Sequence, residues 1–331
     1  MQIHFFTCNS PCRTFTMNIV YATDDKGALG TGVSIVSLME NLPADVHADI
    51  YIMTDGLSED NTARLNALQR SYRLNLHFID MKDKYKDFPV GSKWSAATYY
   101  RLGLAGELPA TVERALYVDI DTIFNRDISS MYETEFGDCL IAGVFTTEHL
   151  TEEFFSRWKQ EMNLGRDSIY INAGVVLYHV KKIREERFED QVLSYAKSNI
   201  HHLSWQDQDI LNACYQERIF LLHPMWNICD GAIWSIRWEG VKSFENNPLE
   251  PKDLLEAATS PGIIHYWGHP KPWQPNSLRQ DNGLFYKYWK KSPWKDKIRV
   301  FRKQNDSVRM FVSRMRCLLG KGKRLLQGKY Q

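Results

Sequence analysis

The sequence predicts an α/β protein built on a mostly parallel, doubly wound sheet with helices on both faces. Two observations carry this. Residues 17–79 alternate short apolar runs with helical stripes in the order βαβαβ, and strands joined by helical crossovers run parallel. Residues 115–118 form an uninterrupted apolar run, which suits a strand buried on both faces.

Residues 17–22 read as the first strand, ending in Thr23, Asp24 and Asp25 before a glycine-containing loop; residues 1–16 precede it as an extension. From Thr31, a helix stripe of Ile35, Leu38, Met39 and Leu42 follows i, i+3, i+4, i+7 spacing and closes at Pro43. Residues 49–53 and 74–79 are strands around a helix over 58–72 capped by Ser58. A lysine-rich loop over 80–93 leads to a helix over 95–105 carrying Arg101. The run at 115–118 then delivers Asp119 and Asp121. Were the strand to persist through Asp121, both carboxylates would share a face, with Ile120 opposed.

The second half is less regular. Residues 170–178 read as a strand containing Asn172 and Gly174, where a glycine signals close approach of backbone or ligand. A charged helix is expected over 181–198 and another after the polar start at 205–212, whose Asp207 and Asp209 could simply complement a helix N-terminus. Trp226, Trp234 and Trp238 lie in a stretch without clear periodicity and fit either sugar stacking or a core. A last short strand at 262–265 ends in His265, followed by Gly268 and Lys271.

Ligands of doubly wound sheets collect beyond the carboxyl ends of the strands, so Asp24 and the aspartate pair are expected to face one crevice. The first strand–helix loop carries neither G-x-G-x-x-G nor G-x-x-x-x-G-K-[ST], so dinucleotide and P-loop readings lose their usual support. The aspartate pair has three readings: carboxylate ligands for Mg²⁺ or Mn²⁺ neutralising a diphosphate, a phosphatase nucleophile (Asp119) with its acid/base (Asp121), or a solvated strand end. His265 would complete an O,O,N ligand set compatible with Mn²⁺, and Lys271 is a cation suited to phosphate.

The net charge of +1 conceals an asymmetry, since residues 287–331 hold 15 Lys and Arg against 2 acidic residues, and the preceding chain holds 26 against 38. The six cysteines show no C-x-x-C, which indicates neither a zinc site nor a disulfide framework and fits a reducing cytosol. The opening residues lack a basic start and a long apolar run, so no signal sequence is expected. No stretch reaches the ~18 apolar residues of a membrane span. In the basic tail, Val308, Phe311, Val312, Met315, Leu318 and Leu319 follow helical spacing among Arg309, Arg314 and Arg316. Such a helix can lie on an anionic membrane surface or pack on the body.

Asp24, the Tyr100-Arg101-Leu102 run, Tyr117 through Thr122, Ile171 through Val176, Gln206 through Asn212 and His265 through Trp273 occur in an order that resembles family 8 glycosyltransferases. The likeness spans roughly residues 17–294 and is nearest to bacterial lipopolysaccharide core galactosyl- and glucosyltransferases. It implies a GT-A fold and retaining transfer of a hexose from UDP-galactose or UDP-glucose to a glycolipid or oligosaccharide acceptor. By the same resemblance, Asp119, Asp121 and His265 hold Mn²⁺, with Mg²⁺ as an alternative. Ala22 and Asp24 meet the uridine, Gly268 and Lys271 the diphosphate, and Arg101, Asn172, Asp207 and Gln208 the donor sugar.

The pattern departs after Asp25, where Lys26-Gly27 replaces a pair whose aromatic member covers the uracil in relatives. Retention ordinarily uses a carboxylate nucleophile, yet the matching position is Gln208, an amide flanked by Asp207 and Asp209. These three are the catalytic candidates, and front-side attack assisted by the departing phosphate is the favoured route.

The expected division is an extension (1–16), a GT-A catalytic domain (17–286) and a basic amphipathic tail (287–331). The protein is expected to be cytoplasmic, peripheral on the inner face of the cytoplasmic membrane, with no nucleic-acid partner. A haloacid-dehalogenase-like phosphatase and a non-catalytic sugar-binding protein are the alternatives.

Overall fold

The computed structural model describes residues 16–89, 95–147, 152–162, 164–165, 168–199, 205–241, 249–274, 277 and 282–298. In chain order the strands are β1 (Thr16–Ala22), β2 (His47–Thr54), β3 (Leu74–Asp80), β4 (Ala115–Val118), β5 (Thr122–Phe124), β6 (Ile141–Phe145), β7 (Ile171–Tyr178), β8 (Ile219–Leu221), β9 (Ile228–Cys229) and β10 (Ile263–His265). They form a seven-stranded sheet of order β3-β2-β1-β4-β7-β6-β8 and a three-stranded sheet of order β5-β10-β9. In the large sheet only β7 runs against its neighbours; the other pairs are parallel. Alternate residues of β1 and β4 enter two separate apolar cores, Ile19, Tyr21, Leu116 and Val118 on one face and Val20, Ala22, Ala115 and Tyr117 on the other. Both faces are therefore covered, as the unbroken apolar runs require.

β4 stops at Val118, and residues 119–121 turn the chain into β5 of the small sheet. The premise of a strand persisting through Asp121 is therefore corrected: the two carboxylates converge because of a turn. The turn is fixed from several sides. Asp119 N–H donates to Gly174 O (2.8 Å), extending the β4–β7 pairing by one residue, and Tyr266 N–H donates to Asp121 O (2.8 Å). Thr122 Oγ1 donates to Asp119 O (2.8 Å), and Ser34 Oγ and Tyr21 OH lie at 3.1 Å spacings behind it. Each hydroxyl has one proton, so this chain donates in a single direction from Tyr21 to Asp119.

The helices differ from expectation at their ends. The first runs Ala28–Met39, and the second spans Glu59–Ala67 with Ser58 Oγ accepting from Asn61 N–H (3.4 Å). The segment with Arg101 is a 3₁₀ helix, Ala96–Gly103, continued by Leu104–Glu107. The expected helix over 181–198 is two, Val180–Glu185 and Phe188–Asn199, broken where Arg187 adopts φ 51°. The tryptophan-rich stretch contains the helix Asp230–Glu239.

Near the end, the helix Asn282–Trp289 crosses position 287, and the packed chain continues to Ile298. Trp294 is fully buried against Gly32, and its Nε1 donates to Asn61 Oδ1 (3.0 Å). The apolar stripe from Val308 to Leu319 and residues 1–15 lie outside the described residues.

Candidate active site

A cavity of about 1150 Å³ opens where β1 and β4 end. Ala22, Asp24, Arg101, Asp119, Asp121, Asn172, Asp207, Gln208, His265, Gly268 and Lys271 all line it; Asp209 does not. Asp24 and the aspartate pair do face one crevice.

Asp119, Asp121 and His265 each offer one ligand atom, all within 4.8 Å of one another. His265 Nε2 lies 3.2 Å from Asp121 Oδ1 and 3.7 Å from Asp119 Oδ2. Its Nδ1 faces Asn227 Oδ1 (3.1 Å), and Asn227 Nδ2 donates to Asn172 Oδ1 (2.9 Å). With its amide so directed, Asn227 accepts from the Nδ1–H tautomer, which leaves the Nε2 lone pair toward the carboxylates. Gly174 makes the approach possible, since a Cβ there would stand 2.2 Å from His265 Cε1 and 2.9 Å from Asp119 Oδ2. This O,O,N set, with its imidazole oriented from behind, fits a divalent cation.

Lys271 Nζ pairs with Asp121 Oδ2. Burial favours the neutral form of Asp121, but the Lys271 ammonium and then His265 outweigh it and hold the carboxyl well below the usual range. For His265, burial opposes the charged form, yet the aspartates prevail and its pKa lies above the ordinary value.

Arg101 is buried beside this cluster. Its Nη2 donates to Asp119 Oδ1 (2.8 Å), Nη1 to Ala173 O (2.6 Å), and Nε approaches Asp207 Oδ2 (3.0 Å). The guanidinium carbon sits 4.3 Å from the centre of the Tyr117 ring, whose hydroxyl donates to Asp119 Oδ1 (3.0 Å). Asp207 also accepts from Thr98 Oγ1 (2.9 Å). Burial raises the Asp207 pKa to about 6, Arg101 opposes the rise, and Asp119 adds to it. Much of Arg101 is thus committed to holding two carboxylates.

Gln208 stands on the helix Gln206–Tyr215, with Ala173 N–H donating to its Oε1 (3.0 Å) and its Nε2 donating to Tyr170 OH (3.0 Å). Asp209, a catalytic candidate from the sequence, is 1% exposed and points elsewhere. Its Oδ1 accepts from Tyr170 OH (2.7 Å) and its Oδ2 from Trp205 N–H (2.8 Å). Asp209 thus turns toward Tyr170 and the start of its own helix, while the consecutive residues Asp207 and Gln208 both reach the cavity.

Asp24 Oδ1 accepts from Gly27 N–H (2.8 Å), shaping the loop where Lys26 and Gly27 meet the cavity. Gly268 lines it at φ 77°. The tryptophans lining the cavity are Trp205 and Trp267, edge to face at 6.1 Å, and Trp273. The nominated tryptophans lie away from it: Trp226 packs on the core, and Trp238 is 75% exposed with its ring 6.5 Å from that of Trp234. Sequence reading missed Asn227, Trp205 and Trp267. Trp205 flanks one motif already quoted and Trp267 lies inside another, but nothing local marked Asn227.

A family model described as "Glycosyl transferase family 8" matches residues 18–277. The lipopolysaccharide 1,2-glucosyltransferase of Escherichia coli K12 is 29% identical over 85% of this chain and 79% of its own. The lipopolysaccharide 1,3-galactosyltransferase of Salmonella typhimurium LT2 is 25% identical over 84% and 79%. Among solved structures, the galactosyltransferase LgtC, crystallised with donor and acceptor sugar analogues, superposes with a TM-score of 0.72 at 25% identity, covering 83% of this chain and 96% of that one.

Proposed function

Because the chain belongs to glycosyl transferase family 8, we propose that this retaining hexosyltransferase takes galactose or glucose from its UDP-sugar and delivers it to a lipopolysaccharide core or similar glycolipid. The observation that carries the donor reading is the cavity itself, which brings the Asp119, Asp121 and His265 cluster and Lys271 to one end and Gln208 to its wall. Asp119, Asp121 and His265 would hold the cation, and the imidazole among two carboxylates favours Mn²⁺ over Mg²⁺. Bound there, the ion offsets the charge of a diphosphate leaving group.

The chain's own groups do the rest. Lys271, released from Asp121, supplies a mobile ammonium to the diphosphate. Ala22 and Asp24 border the uridine end, and Gly268 brings backbone close to the phosphates. Arg101 keeps Asp119 and Asp207 in place while Asn172, Asp207 and Gln208 border the sugar. Front-side attack, with a departing phosphate oxygen taking the acceptor proton, is supported by the absence of Asp209 from the cavity and the engagement of both Asp207 oxygens. A trapped glycosyl-carboxylate at either residue would defeat it.

The test is UDP release from a panel of UDP-sugars with Mn²⁺, with and without EDTA. Metal-dependent UDP from UDP-galactose or UDP-glucose is expected, and Asp121→Ala should abolish it. Phosphomonoester hydrolysis without UDP release would instead restore the phosphatase reading.

No helix of the described residues is long and apolar enough to cross a membrane. The basic tail, on its sequence pattern alone, would hold the enzyme on the inner face of the cytoplasmic membrane, where a glycolipid acceptor is within reach.

A further inference from the structure

We propose that Tyr170 is a positioning residue for the Gln208 carboxamide, and that Asp209 orients that carboxamide through it. Tyr170 is fully buried, with its ring edge-to-face against Trp158 at 4.6 Å. Its hydroxyl has one proton, which goes to Asp209 Oδ1 (2.7 Å), and the hydroxyl oxygen accepts from Gln208 Nε2 (3.0 Å). The opposite end of the same carboxamide is held by Ala173 N–H (3.0 Å). Asp209, the buried acceptor, sets the direction of donation, and the amide cannot flip without placing donor against donor at Ala173. The second oxygen of Asp209 holds the backbone of Trp205, which borders the cavity.

The consequence is a fixed dipole. A carboxamide has two acceptor and two donor sites; Ala173 and Tyr170 use one of each, which leaves an Oε1 lone pair at the cavity wall. An oxygen dipole of fixed sense stabilises positive charge developing on a sugar ring, and does so without reorganising during the reaction. This inference rests on the sugar-transfer reading above.

The variant Tyr170→Phe removes one oxygen and keeps the ring. It should lower kcat for UDP release at least tenfold while KM for the donor stays within twofold. In a Gln208→Ala background the same change should cost nothing further, because its effect passes through Gln208. Asp209→Asn, which retains an acceptor for Tyr170, should keep more activity than Asp209→Ala and provides the comparison if Tyr170→Phe folds poorly. By NMR, the Gln208 side-chain amide protons should exchange slowly in the wild type and at least tenfold faster in Tyr170→Phe. Unchanged exchange, an unchanged kcat, or losses that add in the double variant would overturn the proposal. A wild type whose slow amide protons become fast in Tyr170→Phe, yet which releases no UDP, would leave the positioning intact and defeat the transfer reading instead.

Discussion

One added methyl group at position 174 should disable the cation site. In Gly174→Ala the new carbon meets His265 and Asp119 at distances no side chain tolerates, so the imidazole must leave its place between the carboxylates. Mn²⁺ affinity, read by calorimetry on the protein alone at a temperature where the variant is still folded, should fall at least tenfold; unaltered affinity would refute this reading of the cluster. Asp207 makes a separate prediction. Its folded pKa of about 6 lies above the ordinary 3.8, so its stabilising contribution is complete below about pH 4 and is lost as pH rises through about 6. Between pH 4 and 7 the wild type should therefore lose on the order of 3 kcal/mol relative to Asp207→Asn in urea denaturation. A difference that stays constant with pH would contradict it. The grouping of Asp119, Asp121 and His265 was legible because unlike donors followed short apolar runs in a recognisable order. Asn227 was not, because an asparagine in an irregular run acquires meaning only when β9 and β10 bring it beside His265. That Asp209 lies off the cavity was not legible, because its place is set by Tyr170 and the Trp205 backbone, which adjacency in sequence does not reveal.

At the level of elements, the parallel strands were legible since burial on both faces leaves unbroken apolar runs. The direction of β7 was not, because an apolar run reads the same in either orientation. Its reversal matters to the site, for antiparallel pairing sets Gly174 O opposite Asp119 N–H. One helix also hid its limit, since Arg187 breaks it through a backbone angle that its side chain does not advertise; and Trp294 gave no sign that it fills the space over Gly32. Trp294→Ala should cost about 3–5 kcal/mol by equilibrium unfolding, since a fully buried indole is lost and Asn61 loses a partner. Trp294→Phe should cost less, with roughly 1 kcal/mol attributable to the hydrogen bond. Equal losses would mean that the ring contributes little.

For the whole molecule, the charge asymmetry was legible from composition, while the point at which the body ends was not, since Lys287 and Trp294 belong to one packed segment. A chain ending at Ile298 should keep metal-dependent UDP release yet move from membrane fractions to the supernatant; persistent membrane association would sink the proposed role of the tail. The same segment constrains how the protein can be made. Trp294 inserts between residues that leave the ribosome more than two hundred positions earlier, Gly32 and Asn61, and Trp289 Nε1 bonds Trp294 O (2.9 Å). During synthesis the opening βαβ segment must wait with that face uncovered until nearly the entire catalytic chain has emerged. Maturation thus waits on a segment translated after the opening strands and helices it covers, and nascent chains stalled before Trp294 should be the species most dependent on chaperones.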